Sequence, residues 1–103
     1  MKKIINRKTY NTETATEIGN YHNGLGRGDF RNIDESLYVT SKGNFFLAGY
    51  GGPMTKYAEP CGNMTGGGSG IEPLSRDEAL DWAEQHCDAE IIEKHFEDMI
   101  EEA

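Results

Sequence analysis

The chain has 103 residues, with 10 Lys/Arg, 18 Asp/Glu and a formal net charge of −8. That length supports a single domain, 1–103, and no run approaches the ~20 apolar residues of a membrane span. The charge is split: residues 1–58 hold eight Lys/Arg and five Asp/Glu, whereas residues 59–103 hold two and thirteen.

Residues 3–10 contain Ile4, Ile5, Thr9 and Tyr10 without helical spacing, and a first strand is expected there. Asn11 or Thr12 then offers an N-cap, and Glu13 suits the positive end of a helix dipole. A short helix is expected over 12–22. Asn23-Gly24-Leu25-Gly26-Arg27-Gly28-Asp29 follows as a surface turn; it lacks the Gly-Lys-Ser/Thr ending of a phosphate loop. Leu37-Tyr38-Val39-Thr40 and Phe45-Phe46-Leu47, separated by Ser41-Lys42-Gly43-Asn44, form the strongest local signal, a β-hairpin over 36–50. Leu37, Val39, Phe45 and Leu47 share one parity and so one buried face.

Gly51-Gly52-Pro53 ends the hairpin. Residues 54–58 are expected as a short edge strand, 59–70 as a long flexible loop and 71–74 as an extended run. Ser75 and Glu78 then stand at capping-box spacing, and Ala79, Trp82, Ala83 and His86 line one face of the helix they open. Asp88 can cap a second helix whose apolar stripe is Ile92, Phe96, Met99 and Ile100, so a kink is expected at Cys87-Asp88. The expected class is α+β. A small antiparallel sheet of three to four strands, centred on hairpin 36–50, packs against an N-terminal helix and two C-terminal helices.

Functional expectations start from the acidic residues. Asp77, Asp81, Glu84 and Asp88 step by four, three and four along the first C-terminal helix. Glu90, Glu93, Glu97 and Glu101 step by three, four and four along the second. Each set shares a helical face, where like charges destabilise by a few tenths of a kcal/mol per pair, roughly. A solvated face is the simple reading. The functional reading is a partner-binding surface that imitates a nucleic-acid backbone and occupies a cationic groove. His22, His86 and His95 lack metal-ligand spacing, Cys61 stands alone, and no metal or cofactor is expected. Met1-Lys2-Lys3-Ile4-Ile5 has no apolar run behind it, so a signal peptide is not expected, and Cys61 and Cys87 are expected as free thiols in the cytoplasm.

Four runs together carry a resemblance: Arg7-Lys8-Thr9-Tyr10-Asn11-Thr12-Glu13-Thr14-Ala15, Glu35-Ser36-Leu37-Tyr38, Gly43-Asn44-Phe45-Phe46-Leu47-Ala48-Gly49-Tyr50-Gly51-Gly52, and Ile71-Glu72-Pro73-Leu74 leading to Glu78-Ala79-Leu80-Asp81-Trp82-Ala83-Glu84. This order resembles a family of small proteins carried by phages, plasmids and other mobile elements of Firmicutes. That family includes type II-A anti-CRISPR proteins, which inhibit Cas9. The resemblance implies a non-enzymatic inhibitor that binds Cas9 or its guide-bound complex, and it brings no catalytic residue with it. Cas9 holds nucleic acid in positively charged channels, which suits an acidic partner. Two alternatives stand beside it. One is a small nuclease or RNA-binding protein acting on the guide RNA, which the basic half could hold through Lys2, Lys3, Arg7, Lys8, Arg27 and Arg31. The other is a mobile-element interaction module unrelated to CRISPR.

Overall fold

The computed structural model describes residues 1–26 and 28–103. Its centre is an antiparallel sheet of β3 (Thr16–His22), β4 (Ile33–Val39), β5 (Phe45–Gly51) and β8 (Gly68–Leu74), in that spatial order. Two hairpins stand apart from the sheet: β1 (Lys2–Ile5) with β2 (Lys8–Asn11), and β6 (Glu59–Cys61) with β7 (Met64–Gly66). Two helices close the chain, α1 (Arg76–His86) and α2 (Ala89–Phe96), and a 3-10 turn follows at Glu97–Met99. No helix among the described residues is long and apolar enough to cross a membrane.

The β4–β5 hairpin is the middle of the sheet, as its sequence requires. Leu37 pairs with Leu47 and Val39 with Phe45, and Gly43 takes the turn's left-handed position at φ 84°. The expected helix over 12–22 is not formed. Asn11 does act as a local cap: its Oδ1 accepts from Glu13 N at 3.0 Å, and its carbonyl accepts from Thr14 and Ala15. The turn stops there because the next residues pair with β4, from Thr16↔Val39 to His22↔Asp34. Gly19 lies within the stretch, where it would cost a helix about 1 kcal/mol. A register shift between Glu17 and Gly19 completes a bulged strand.

The expected single strand over 3–10 is instead a hairpin. Asn6 and Arg7 both have positive φ, 51° and 67°, the two-residue turn that matches strand twist. Residues 54–58 form turns, not an edge strand. The expected loop over 59–70 contains the β6–β7 hairpin and the start of β8. Strand β8 is at the sheet edge, which accommodates Pro73 because an edge strand does not need every N–H.

Both faces of the sheet are covered. On one, Leu37, Phe45, Leu47 and Ile18 pack against Ala79, Leu80, Trp82, Ala83 and Phe96 from the helices. On the other, Phe46, Ala48 and Ile71 pack against Tyr10 from the β1–β2 hairpin. Tyr10 meets Phe46 edge-on, and Tyr38 stacks on it at 5.2 Å. Phe45 and Phe96 stack across the helix face, also at 5.2 Å.

Candidate functional site

The acidic surface is built by the caps that set the two helices. Ser75 Oγ accepts from Glu78 N at 3.1 Å, and Ser75 N donates to Glu78 Oε1 at 2.8 Å. The hydrogen bonds from Ser75 hold the Glu78 carboxylate below its ordinary pKa. With the register so fixed, Ala79, Leu80, Trp82 and Ala83 turn inward. Asp77, Asp81 and Glu84 are exposed on the outer side. Cys87 then leaves the helical region and Asp88 opens α2, accepting from Ile91 N at 3.3 Å. The expected kink is present. Asp88 is exposed, but its carboxylate serves as this cap.

Glu90 and Glu93 lie on α2, whereas the helix closes at Phe96. Glu97 therefore starts the 3-10 turn and Glu101 lies beyond it, so the spacing 90–93–97–101 does not continue along one helix. The fold gathers these residues in another way. Glu90, Glu93, Glu97, Glu101 and Glu102 border one groove of about 810 Å³, with Lys94 among them. Arg76 reaches back to Asp98, with Nη1 at 2.8 Å from Oδ2 and a second contact from Nη2 to Oδ1. This clasp ties the start of α1 to the turn after α2. The hydrogen bond from Arg76 holds the Asp98 carboxyl below its ordinary pKa. It also occupies one of the few cations near the acidic face.

A second constellation escaped the sequence reading. Glu35 on β4 is only 4% exposed and points into the helix face. Trp82 Nε1 donates to its Oε2 at 2.8 Å, and Tyr57 Oη donates to its Oε1 at 2.8 Å. Lys56 Nζ lies 2.9 Å from the same Oε1 and 3.4 Å from Glu72 Oε1. Burial disfavours the Glu35 carboxylate, yet the hydrogen bonds from Lys56, Trp82 and Tyr57 outweigh it and hold its pKa below the ordinary value. Burial and the neighbouring carboxylate raise the Tyr57 pKa. Gly49 makes the room: a Cβ there would stand 2.7 Å from Glu35 Cβ and 2.3 Å from Asp34 O. Trp82 and Tyr57 donate to Glu35 and half-exposed Lys56 bridges it to Glu72, so the arrangement is an anchor between sheet, helix and the 52–58 turn. A carboxylate on the parity of Leu37 and Val39 was the available signal, with a buried Trp and Tyr that each need a polar partner.

The histidines are spread around the fold. His86 stacks on Tyr21 at 3.9 Å and meets Trp82 edge-on, and burial lowers its pKa. His22 Nδ1 lies 3.2 Å from Ile33 O. His95 sits on α2, and burial lowers its pKa as well. Cys87 is a free thiol against Gly19, where a Cβ would approach its Sγ to 2.5 Å. The side chain of Cys61, and Arg27 in the glycine turn, lie outside the described residues.

Comparison with protein-family models, with curated proteins and with solved structures finds no match to this chain.

Proposed function

We propose that this protein is a non-enzymatic inhibitor of Cas9 that binds the effector or its guide-bound complex through the outer surface of α1 and α2. The observation that carries the reading is the outward array of Asp77, Asp81, Glu84, Glu90 and Glu93, all exposed and none paired with a cation among the described residues. Fold stability accounts for only part of this array. Asp77 and Glu90 stand in the first turns of α1 and α2, where the helix dipole favours them. Asp81, Glu84 and Glu93 have no such role, and adjacent like charges on a helix are destabilising. A cationic channel built for phosphates would find carboxylates at the same sites. The resemblance of the 7–84 region to the anti-CRISPR-containing family selects Cas9 among such partners.

Surface plasmon resonance against Cas9, with and without guide RNA, tests the contact. Wild-type affinity is expected to fall as salt rises, because Debye screening shortens to about 8 Å at physiological ionic strength. Combined Asp77→Asn, Asp81→Asn and Glu84→Gln should lower the association rate most. A cleavage assay with the guide followed on a gel separates the alternatives. Lost cleavage with intact guide supports inhibition by binding, degraded guide supports a nuclease, and undisturbed cleavage removes Cas9 as the target.

A further inference from the structure

The face of the sheet opposite the helices carries a groove that the acidic surface does not explain. It lies between two tight turns, at residues 6–7 and 41–44, that are distant in sequence. The packing of Tyr10 on Phe46 brings the β1–β2 hairpin over the sheet, and Lys8 Nζ then comes within 3.5 Å of Asn44 Oδ1. The resulting cleft, about 450 Å³, is lined by Arg7, Lys8 and Lys42 together with the Thr40, Ser41 and Asn44 side of the second turn. No carboxylate lines it, and Arg7, Lys8 and Lys42 are exposed and make no ion pair among the described residues. Three cations thus converge on one cleft in a chain whose formal charge is −8.

We propose that this cleft is a binding site for the sugar–phosphate backbone of a single nucleic-acid strand. Cations and hydroxyl or amide groups are what phosphate and sugar contacts use. The volume falls in the ~300–1,000 Å³ range of ligand clefts, which suits a nucleotide segment better than a duplex. The acidic helices do not cancel the site. They pack on the opposite face of the sheet, and screening acts within about 8 Å at physiological salt. The inference narrows the RNA contact expected of the basic half to this cleft, and it holds whether or not Cas9 is the protein partner.

The test uses labelled single-stranded RNA and DNA oligonucleotides and fluorescence polarisation, with no protein partner present. It is therefore independent of the Cas9 measurement. Three phosphate contacts at about 0.7 each in the salt slope predict roughly 20-fold weaker binding between 50 and 200 mM salt. Lys8→Gln with Lys42→Gln should reduce affinity at 50 mM by tenfold or more and flatten the slope. Arg76→Gln with Lys94→Gln, both on the helices, removes the same charge elsewhere and should leave binding within twofold. All four side chains are exposed, so both variants should keep the wild-type far-UV spectrum. Lys42→Gln alone, at the turn, supplies a second reading and should give an intermediate loss. The proposal is overturned if neither strand binds at 50 mM salt, if the two double variants lose affinity equally, or if only free triphosphate nucleotide binds.

Discussion

The two faces of the central sheet are held by different chemistry. The helix face combines a large apolar cluster around Leu37, Phe45, Trp82 and Phe96 with the buried Glu35 carboxylate and its three donors. The hairpin face has a smaller apolar cluster of Tyr10, Phe46, Ala48 and Ile71, and its main contacts are aromatic rings. The first face is specified by both packing and directed hydrogen bonds. The second is specified mainly by packing, in a smaller cluster, with Ser36 Oγ accepting from Asn20 Nδ2 at 2.9 Å. The helix layer should therefore unfold with the whole domain, and the hairpin layer should come away first. The same division separates charge, with carboxylates outside the helices and cations at the hairpin turns.

The largest expected effect is at Trp82. Trp82→Ala removes the centre of the helix face and one donor to Glu35, and should cost about 3–5 kcal/mol by urea unfolding. That approaches the whole stability of a small domain. Native emission from a solvent-exposed Trp82 would contradict its place in the core.

Glu35→Gln should cost about 1.5–3 kcal/mol, since a charged acceptor becomes a neutral amide that keeps one accepting oxygen and turns an NH2 toward a buried donor, Trp82 or Tyr57. It also changes the response to acid. Folding lowers the Glu35 pKa from about 4.5, so its stabilisation is present above that pH and is lost as pH falls through the folded value. The wild type should lose stability below about pH 4.5 more steeply than the variant. Parallel pH profiles would mean that the carboxylate is not the anchor of the helix face.

Tyr10→Ala probes the weaker face. A two-stranded hairpin is marginal alone, so loss of its aromatic contact should free β1 and β2 locally. Amide exchange in residues 2–11 should speed up while β4 and β5 stay protected, and global stability should fall by only about 1 kcal/mol. Equal loss of protection on both faces would show that the two layers unfold as one unit. The smallest effect belongs to Asp77→Asn, Asp81→Asn and Glu84→Gln: relief of like-charge pairs offsets the loss of Asp77 from the first turn of α1, so stability should stay within a few tenths of a kcal/mol, roughly. A marked drop in the melting temperature would mean that these carboxylates hold the helix instead of facing a partner.

Sequence alone determined the features with short-range causes. Hairpin 36–50 follows from alternation and a glycine turn, α1 from the Ser75–Glu78 box, and the kink from Asp88 as a second cap. Tertiary structure decided the features whose causes lie far along the chain. Residues 16–22 carry spacing that a helix would accept, yet become β3 because the open edge of β4 satisfies their backbone groups. Residues 59–70 look like a linker, yet Gly68 and Gly70 extend β8 along β5. Glu35 gains its role only when Trp82, 47 residues later, donates to it. The outward direction of Asp77, Asp81 and Glu84 was legible because a helix fixes which side chains share a face, whereas Glu97 and Glu101 lie beyond the end of α2. The basic cleft was not, because it exists only where two turns meet across a packed sheet.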